Sequence, residues 1–188
     1  MLVTELDITI DYNKLQHEYN LLKIDQLLKN SRINQIAVQC IPGCPIDDQL
    51  YQGTGSLMYD WNNLDKNGNP YKRHKQFRQF DFIETNNYFK NTYIEEIINL
   101  VSDKYKICRT RFIMSEPKTC LSTHSDPTRR IHIPIYTNND CYMVFTDKVY
   151  RLDHGKIYIT NTTEEHTAVN ASNKTRTHLV MCVDEDVE

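Results

Sequence analysis

The chain has 188 residues, of which 39% are hydrophobic and 25% charged, with a formal net charge of −3. That length suits a single domain able to bury a core without disulfide or structural metal. The balance excludes a disordered chain and argues against a nonspecific nucleic-acid binder. No apolar run approaches the roughly 20 residues needed to cross a bilayer. Met1–Ile10 carries Glu5 and Asp7 where an export signal would be basic and apolar. A cytoplasmic protein with no nucleic-acid or membrane partner is therefore expected.

Asp11 can cap a helix over Tyr12–Leu28, where Leu15, Tyr19, Leu22, Leu27 and Leu28 recur near helical spacing. Gln35–Cys40 reads as a short strand. Ile41–Gln79 is polar and rich in Asn, Gly and Pro, which predicts loops. Its aromatics, Tyr51, Tyr59, Trp61 and Tyr71, predict a segment folded onto the rest of the chain, and a connection this long is usually functional or a lid. Trp61 with Tyr59 reads as a loop anchored by aromatic rings or as a stacking lid. Lys72-Arg73-His74-Lys75 with Phe77 and Arg78 reads as a solvated charge run or as a contact for an acidic substrate. A second amphipathic helix is predicted over about Asn87–Lys104, with Tyr93, Ile94, Ile97, Ile98 and Val101 on one face.

After Lys106 the texture becomes that of strands. Ile107–Met114, Arg130–Tyr136, Cys141–Phe145, Val149–Leu152, Lys156–Thr160, His166–Val169 and Arg176–Val183 are β-branched or aromatic runs separated by turn signals. A mainly β fold with N-terminal helices, a sandwich or barrel of the jelly-roll kind, follows. The whole chain, 1–188, is expected as one domain: a helical and loop part over 1–106 packs on a β-core over 107–188. The six cysteines, at 40, 44, 108, 120, 141 and 182, have neither CxxC nor zinc-ligand spacing and are expected as reduced thiols.

The chemistry-bearing residues lie in the β region. His124 and Asp126 stand two apart, so in an extended segment they share a face. With the distant His166 they match a two-His, one-carboxylate facial triad, which occupies three adjacent positions on Fe(II) and leaves three open. A tetrahedral structural zinc site would instead saturate its metal. Arg176 opens the last apolar strand, and its planar fork suits a carboxylate. Arg130 and His132 alternate onto one face of their strand, unless the register slips by one and turns Arg129 inward. His178 shares the face of Arg176 and reads as core or as support for the pocket, with core favoured. His154 reads as a turn residue, and His17 and His74 have no partner in sequence. Each of these residues taken singly has an ordinary structural reading, as a surface histidine, a strand-end charge or a buried hydrogen-bonded ring; their combination points to a metal.

His124-x-Asp126, Arg130-x-His132, Gly155, His166 and Arg176, taken in order over about Arg109–Val183, resemble the aspartyl/asparaginyl β-hydroxylase family of Fe(II)/2-oxoglutarate dioxygenases. The resemblance implies a cupin-like double-stranded β-helix as catalytic core. It implies iron on His124, Asp126 and His166, with Arg176 on the distal carboxylate of 2-oxoglutarate, and Arg130 and His132 helping to hold that co-substrate. Asp126 marks the branch that keeps the metal carboxylate, and its retention favours hydroxylation over halogenation, which needs a vacant position for halide. A small hydroxylated residue that assists the co-substrate in some members falls here at about Ile113. The implied reaction hydroxylates an amino-acid side chain, Asp or Asn in a peptide or a free amino acid such as proline, with O2 consumed and succinate and CO2 released. The competing readings are a non-catalytic jelly-roll module that binds a small carboxylate or sugar, and a cupin-like metal isomerase without co-substrate.

Overall fold

A computed structural model of the chain describes residues 1–74 and 77–184. Strand β1 (Val3–Glu5) leads to α1 (Tyr12–Leu21), opened by Asp11, whose carboxylate accepts from the Lys14 backbone N–H at 3.0 Å. The predicted helix to Leu28 is two helices. Lys23 takes left-handed backbone angles (φ 53°) and α2 (Ile24–Asn30) starts anew. The break lets Leu15 and Tyr19 of α1 and Ile24 and Leu28 of α2 all enter the core. The predicted strand at 35–40 is also divided, into β2 (Gln35–Ala37) and β3 (Gln39–Cys40).

The polar stretch that follows is more ordered than its composition suggests. It carries a short 3-10 turn (Ile46–Asp48) and a hairpin, β4 (Tyr59–Leu64) with β5 (Pro70–Lys72). A second 3-10 turn (Gln79–Asp81) and β6 (Glu84–Thr85), paired with β3, lead to α3 (Tyr93–Ser102). Thr92 caps α3 through its hydroxyl. The helix is shorter than predicted at its N-terminus because Asn91 sits at positive φ (61°).

The β-core comprises β7 (Ile107–Ser115), β8 (Thr119–Cys120), β9 (Arg130–Tyr136), β10 (Cys141–Phe145), β11 (Val149–Tyr150), β12 (Tyr158–Thr160), β13 (His166–Asn170) and β14 (Arg176–Val183). The boundaries of β9, β10 and β14 are those read from the sequence; β11 and β12 are shorter. Two antiparallel sheets form, ordered β1-β12-β9-β14-β7-β2 and β11-β10-β13-β8. This is the jelly-roll, double-stranded β-helix arrangement, with β1 and β2 of the N-terminal region completing its larger sheet.

Alternation along the central strands sorts the side chains. Ile131, Ile133, Ile135, Leu179, Met181, Val183 and Phe112 join one cluster with the buried residues of the three helices. Tyr19 of α1 meets Phe112 and Tyr136 edge-on, with centroids 5.8 and 5.2 Å away. The opposite face carries Arg130, His132, Arg176, His178 and Cys182, all buried. Every residue of β14 is therefore inaccessible, which explains a strand read as continuously apolar yet holding Arg and His.

Candidate metal centre

His124 lies outside the named strands but forms an antiparallel bridge with His166, the first residue of β13. The two exchange backbone hydrogen bonds, His124 N–H to His166 O at 3.0 Å and His166 N–H to His124 O at 2.9 Å. Residues 42 apart in sequence thus become direct cross-strand neighbours, and their rings lie 4.5 Å apart between centroids. Asp126 is held nearby by its own N–H, which donates to Thr162 O at 2.7 Å.

Each imidazole is oriented by a second contact. The Nδ1 of His124 lies 2.8 Å from Ser122 O, and the Nδ1 of His166 lies 2.9 Å from Glu164 O. A carbonyl only accepts, so both Nδ1 atoms carry the proton, and both Nε2 atoms are left with a free lone pair. That tautomer is the one a metal needs. Burial lowers the pKa of His166, ahead of the opposing hydrogen bond to Glu164, so this ring resists protonation. Ligand atoms of His124, Asp126 and His166 all lie within 4.8 Å of one another. Two imidazole nitrogens and one carboxylate at that spacing fit a metal with a preference for mixed N and O ligands.

Arg130 is the buried residue and Arg129 is not, which decides the register. Its guanidinium, expected toward a co-substrate, grips Asp126 at both oxygens, with Nε to Oδ2 at 3.1 Å and Nη2 to Oδ1 at 2.8 Å, while Nη1 faces the Cys182 sulfur. A carboxylate has roughly four lone-pair sites, so the grip leaves acceptor capacity for a metal.

Arg176 is buried, with Nη2 donating to His178 Nδ1 at 3.1 Å, and no carboxylate pairs with it among the described residues. Desolvation lowers its pKa to about 10, so it remains a cation at neutral pH. His132 lies beside it through His178, their Nδ1 atoms 3.4 Å apart. The Nε2 atoms of His132 and His178 are buried with no hydrogen-bond partner among the described residues. A buried guanidinium without an anion and two orphaned ring nitrogens describe a polar interior built for a ligand.

Sequence reasoning missed Arg109, Arg111 and Cys182. Arg109 and Arg111 project from β7 with Cys182 near them on β14. Arg111 donates to Gln35 Oε1 at 3.0 Å, and Arg109 donates through Nε to Gly53 O at 2.8 Å and also to Gly55 O. Two arginines flanking Thr110 inside an apolar strand were the available signal. Of the peripheral residues, Trp61 donates to Ser56 O at 3.2 Å and packs against Tyr59, an anchored loop. Arg73 of the basic run lies 3.7 Å from Asp60 and over the Phe77 ring, whereas Lys75 falls outside the described residues.

The family model for aspartyl/asparaginyl β-hydroxylase matches residues 65–185. The chain belongs to that family. This aspartyl/asparaginyl β-hydroxylase relative is a 2-oxoglutarate-dependent dioxygenase, and the match begins well before the β-core, taking in β5 and α3. No curated protein matches the sequence. Among solved structures, the viral collagen prolyl hydroxylase of Paramecium bursaria Chlorella virus-1 in its 2OG complex superposes with a TM-score of 0.50 at 9% identity, covering 97% of this chain and 96% of that one. AviO1 from Streptomyces viridochromogenes gives 0.50 at 10% identity, covering 99% and 90%. At such identities the likeness is one of fold, and it extends over the N-terminal helices as well as the β-core.

Proposed function

We propose that the protein is an Fe(II)-dependent hydroxylase of amino-acid side chains, using 2-oxoglutarate and O2 and releasing succinate and CO2. One observation carries this reading: the convergence of two tautomerically fixed imidazoles and a clamped carboxylate, in a fold that also buries a guanidinium paired with no carboxylate among the described residues. His124 and His166 would hold the iron through Nε2, and Asp126 through a carboxylate oxygen. Bound there, Fe(II) would supply the open positions and the redox chemistry by which O2 hydroxylates an unactivated C–H bond.

The chain's own residues do the rest. Backbone carbonyls at Ser122 and Glu164 engage both Nδ1 atoms and aim the two rings. Arg130 fixes Asp126 through both carboxylate oxygens and balances its charge. Arg176, already desolvated, offers a two-pronged donor to the distal carboxylate of 2-oxoglutarate, and its burial has excluded the water that would compete. His132 walls the same space. The family match and the fold likeness to a 2OG-bound prolyl hydroxylase support this assignment of co-substrate.

The substrate is read as an Asp, Asn or Pro side chain, peptidyl or free. The segment before the core is placed to select it: buried Gln79 donates to Thr128 Oγ1 at 2.8 Å, tying the loop after the β4–β5 hairpin to the chain just past Asp126. The experiment is a screen of free amino acids and of Asp-, Asn- and Pro-containing peptides, with Fe(II) and 2-oxoglutarate, for stimulated succinate release and a product heavier by one oxygen. Stimulation that disappears in Asp126→Ala is expected. Succinate release unchanged in that variant would remove the carboxylate from the site.

A further inference from the structure

His178 is buried in the interior, and one of its nitrogens is spoken for while the other is not. Arg176 Nη2 lies 3.1 Å from His178 Nδ1. A guanidinium has no lone pair to accept with, so it donates, and His178 Nδ1 is the bare nitrogen. The proton therefore sits on Nε2. Burial, and after it the charge of Arg176, holds the His178 pKa well below its usual value, so the ring is neutral and has that single N–H.

That N–H is a buried donor with no acceptor among the described residues. Its cross-strand neighbours explain why. His178 faces Ile113 on β7 and Pro134 on β9, neither of which has a side-chain acceptor. Arg176 and His178 stand two apart on β14 and share its inner face, with the smaller sheet on the other side, where Cys141 of β10 comes close enough to feel the Arg176 charge. An orphaned donor costs free energy in every state that lacks its partner. Here it lies beside a guanidinium that equally lacks an anion. One ligand group satisfies both: a carboxylate, which has lone pairs enough to accept from the guanidinium and from an imidazole N–H together.

We propose that His178 is a co-substrate-binding residue, donating Nε2–H to the distal carboxylate of 2-oxoglutarate while its Nδ1 orients Arg176. This rests on the reading of Arg176 given above and adds to it a second donor and a fixed tautomer. Discrimination follows: a 2-oxo acid without the distal carboxylate leaves both donors orphaned.

The test uses the full chain loaded with Zn(II) in place of iron, so that no turnover is involved. Calorimetric titrations compare 2-oxoglutarate with 2-oxobutyrate, which keeps the chelating end and lacks the distal carboxylate. His178→Leu should weaken 2-oxoglutarate binding about 10- to 100-fold and leave 2-oxobutyrate unchanged. His178→Gln, whose amide nitrogen can stand where Nε2 does, should recover most of the loss. Equal weakening of both acids, or of neither, overturns the proposal. Wild-type protein that does not distinguish the acids would instead overturn the role of Arg176 on which it rests. Independently of any variant, nitrogen-15 spectra of the wild-type imidazoles should show His178 protonated at Nε2 alone. Protonation at Nδ1 would contradict the proposal outright.

Discussion

Arg130 holds Asp126 by both carboxylate oxygens, at 3.1 and 2.8 Å, from four residues further along the chain. The contact joins the loop that carries two of the three candidate ligands to the start of β9, at the centre of the larger sheet. The guanidinium is almost fully buried and turns its remaining nitrogen to Cys182. The geometry of the metal centre is thus fixed from inside the fold.

Removing that guanidinium should be costly. Arg130→Met leaves the Asp126 carboxylate without its cation and the Cys182 sulfur without its donor, and a loss of about 3–5 kcal/mol is expected. Arg130→Lys keeps the charge but not the fork and should lose less. Urea denaturation curves of the three proteins provide the check, and equal midpoints would show that the grip on Asp126 contributes nothing.

Cys182 is predicted to be a thiolate that reagents cannot reach. Burial would raise its pKa, but the hydrogen bond from Cys108 and the charges of Arg130, Arg111 and Arg109 outweigh burial and lower it. The same contact, and after it burial, push the Cys108 thiol up. In native protein an aromatic disulfide reagent should therefore label exposed Cys120 quickly and Cys182 only on unfolding. Cys182→Ala removes the sulfur that Arg130 Nη1 contacts at 2.6 Å and should destabilise by about 1–3 kcal/mol. Rapid native labelling of Cys182 would contradict this picture.

His132 and His178 make stability depend on pH. Both pKa values lie well below 6.5, by burial first and the charge of Arg176 next. Below about pH 6.5 the unfolded chain takes up protons that the folded chain refuses, so stability is full above that pH and falls as the pH drops toward the depressed folded values. The slope should reach about 1.4 kcal/mol per pH unit for each ring. Denaturation at pH 7.5, 6.5 and 5.5 measures it, and His178→Leu should lower the slope. A profile flat from 7.5 to 5.5 would mean that the rings are not buried neutral.

Much of the catalytic half was legible. β9, β10 and β14 have the boundaries read from their β-branched and aromatic runs: β9 and β14 are buried on both faces, and β10 alternates between buried and half-buried positions. His124 and Asp126, two apart in sequence, do bring their ligand atoms within 4.8 Å of each other. Other features required topology. Nothing local joins His124 to His166; their bridge exists because β13 runs back beside the loop before β9. The helix break at Lys23 has no Gly, Asn or Pro to announce it, and tertiary packing of α1 and α2 overrode a continuous helical pattern. Arg109 and Arg111 were hidden by an apolar strand, and Cys182 by its resemblance to a core residue.

The segment at 41–79, composed like a loop, is closely packed at Gly53 and Gly55. Gly53 sits at φ +80°, and a Cβ there would stand 2.7 Å from the Phe82 ring. Gly68 has a similar φ of +85° with open space around it. Gly68→Ala should cost only the left-handed strain, about 1–2 kcal/mol. Gly53→Ala should cost about 1–3 kcal/mol more, because Phe82 must move and the carbonyl that Arg109 uses moves with it. Thermal unfolding of both variants checks the difference, and equal Tm values would show that the close approach is unimportant.

The most direct test of the metal centre is anaerobic addition of Fe(II) and 2-oxoglutarate to the protein, followed by visible absorption. A weak charge-transfer band is expected in the wild type and should be absent in His166→Ala and in Asp126→Ala, both still folded by circular dichroism. A folded wild-type protein without the band, or variants that keep it, would contradict the assignment of His124, Asp126 and His166 as the iron ligands.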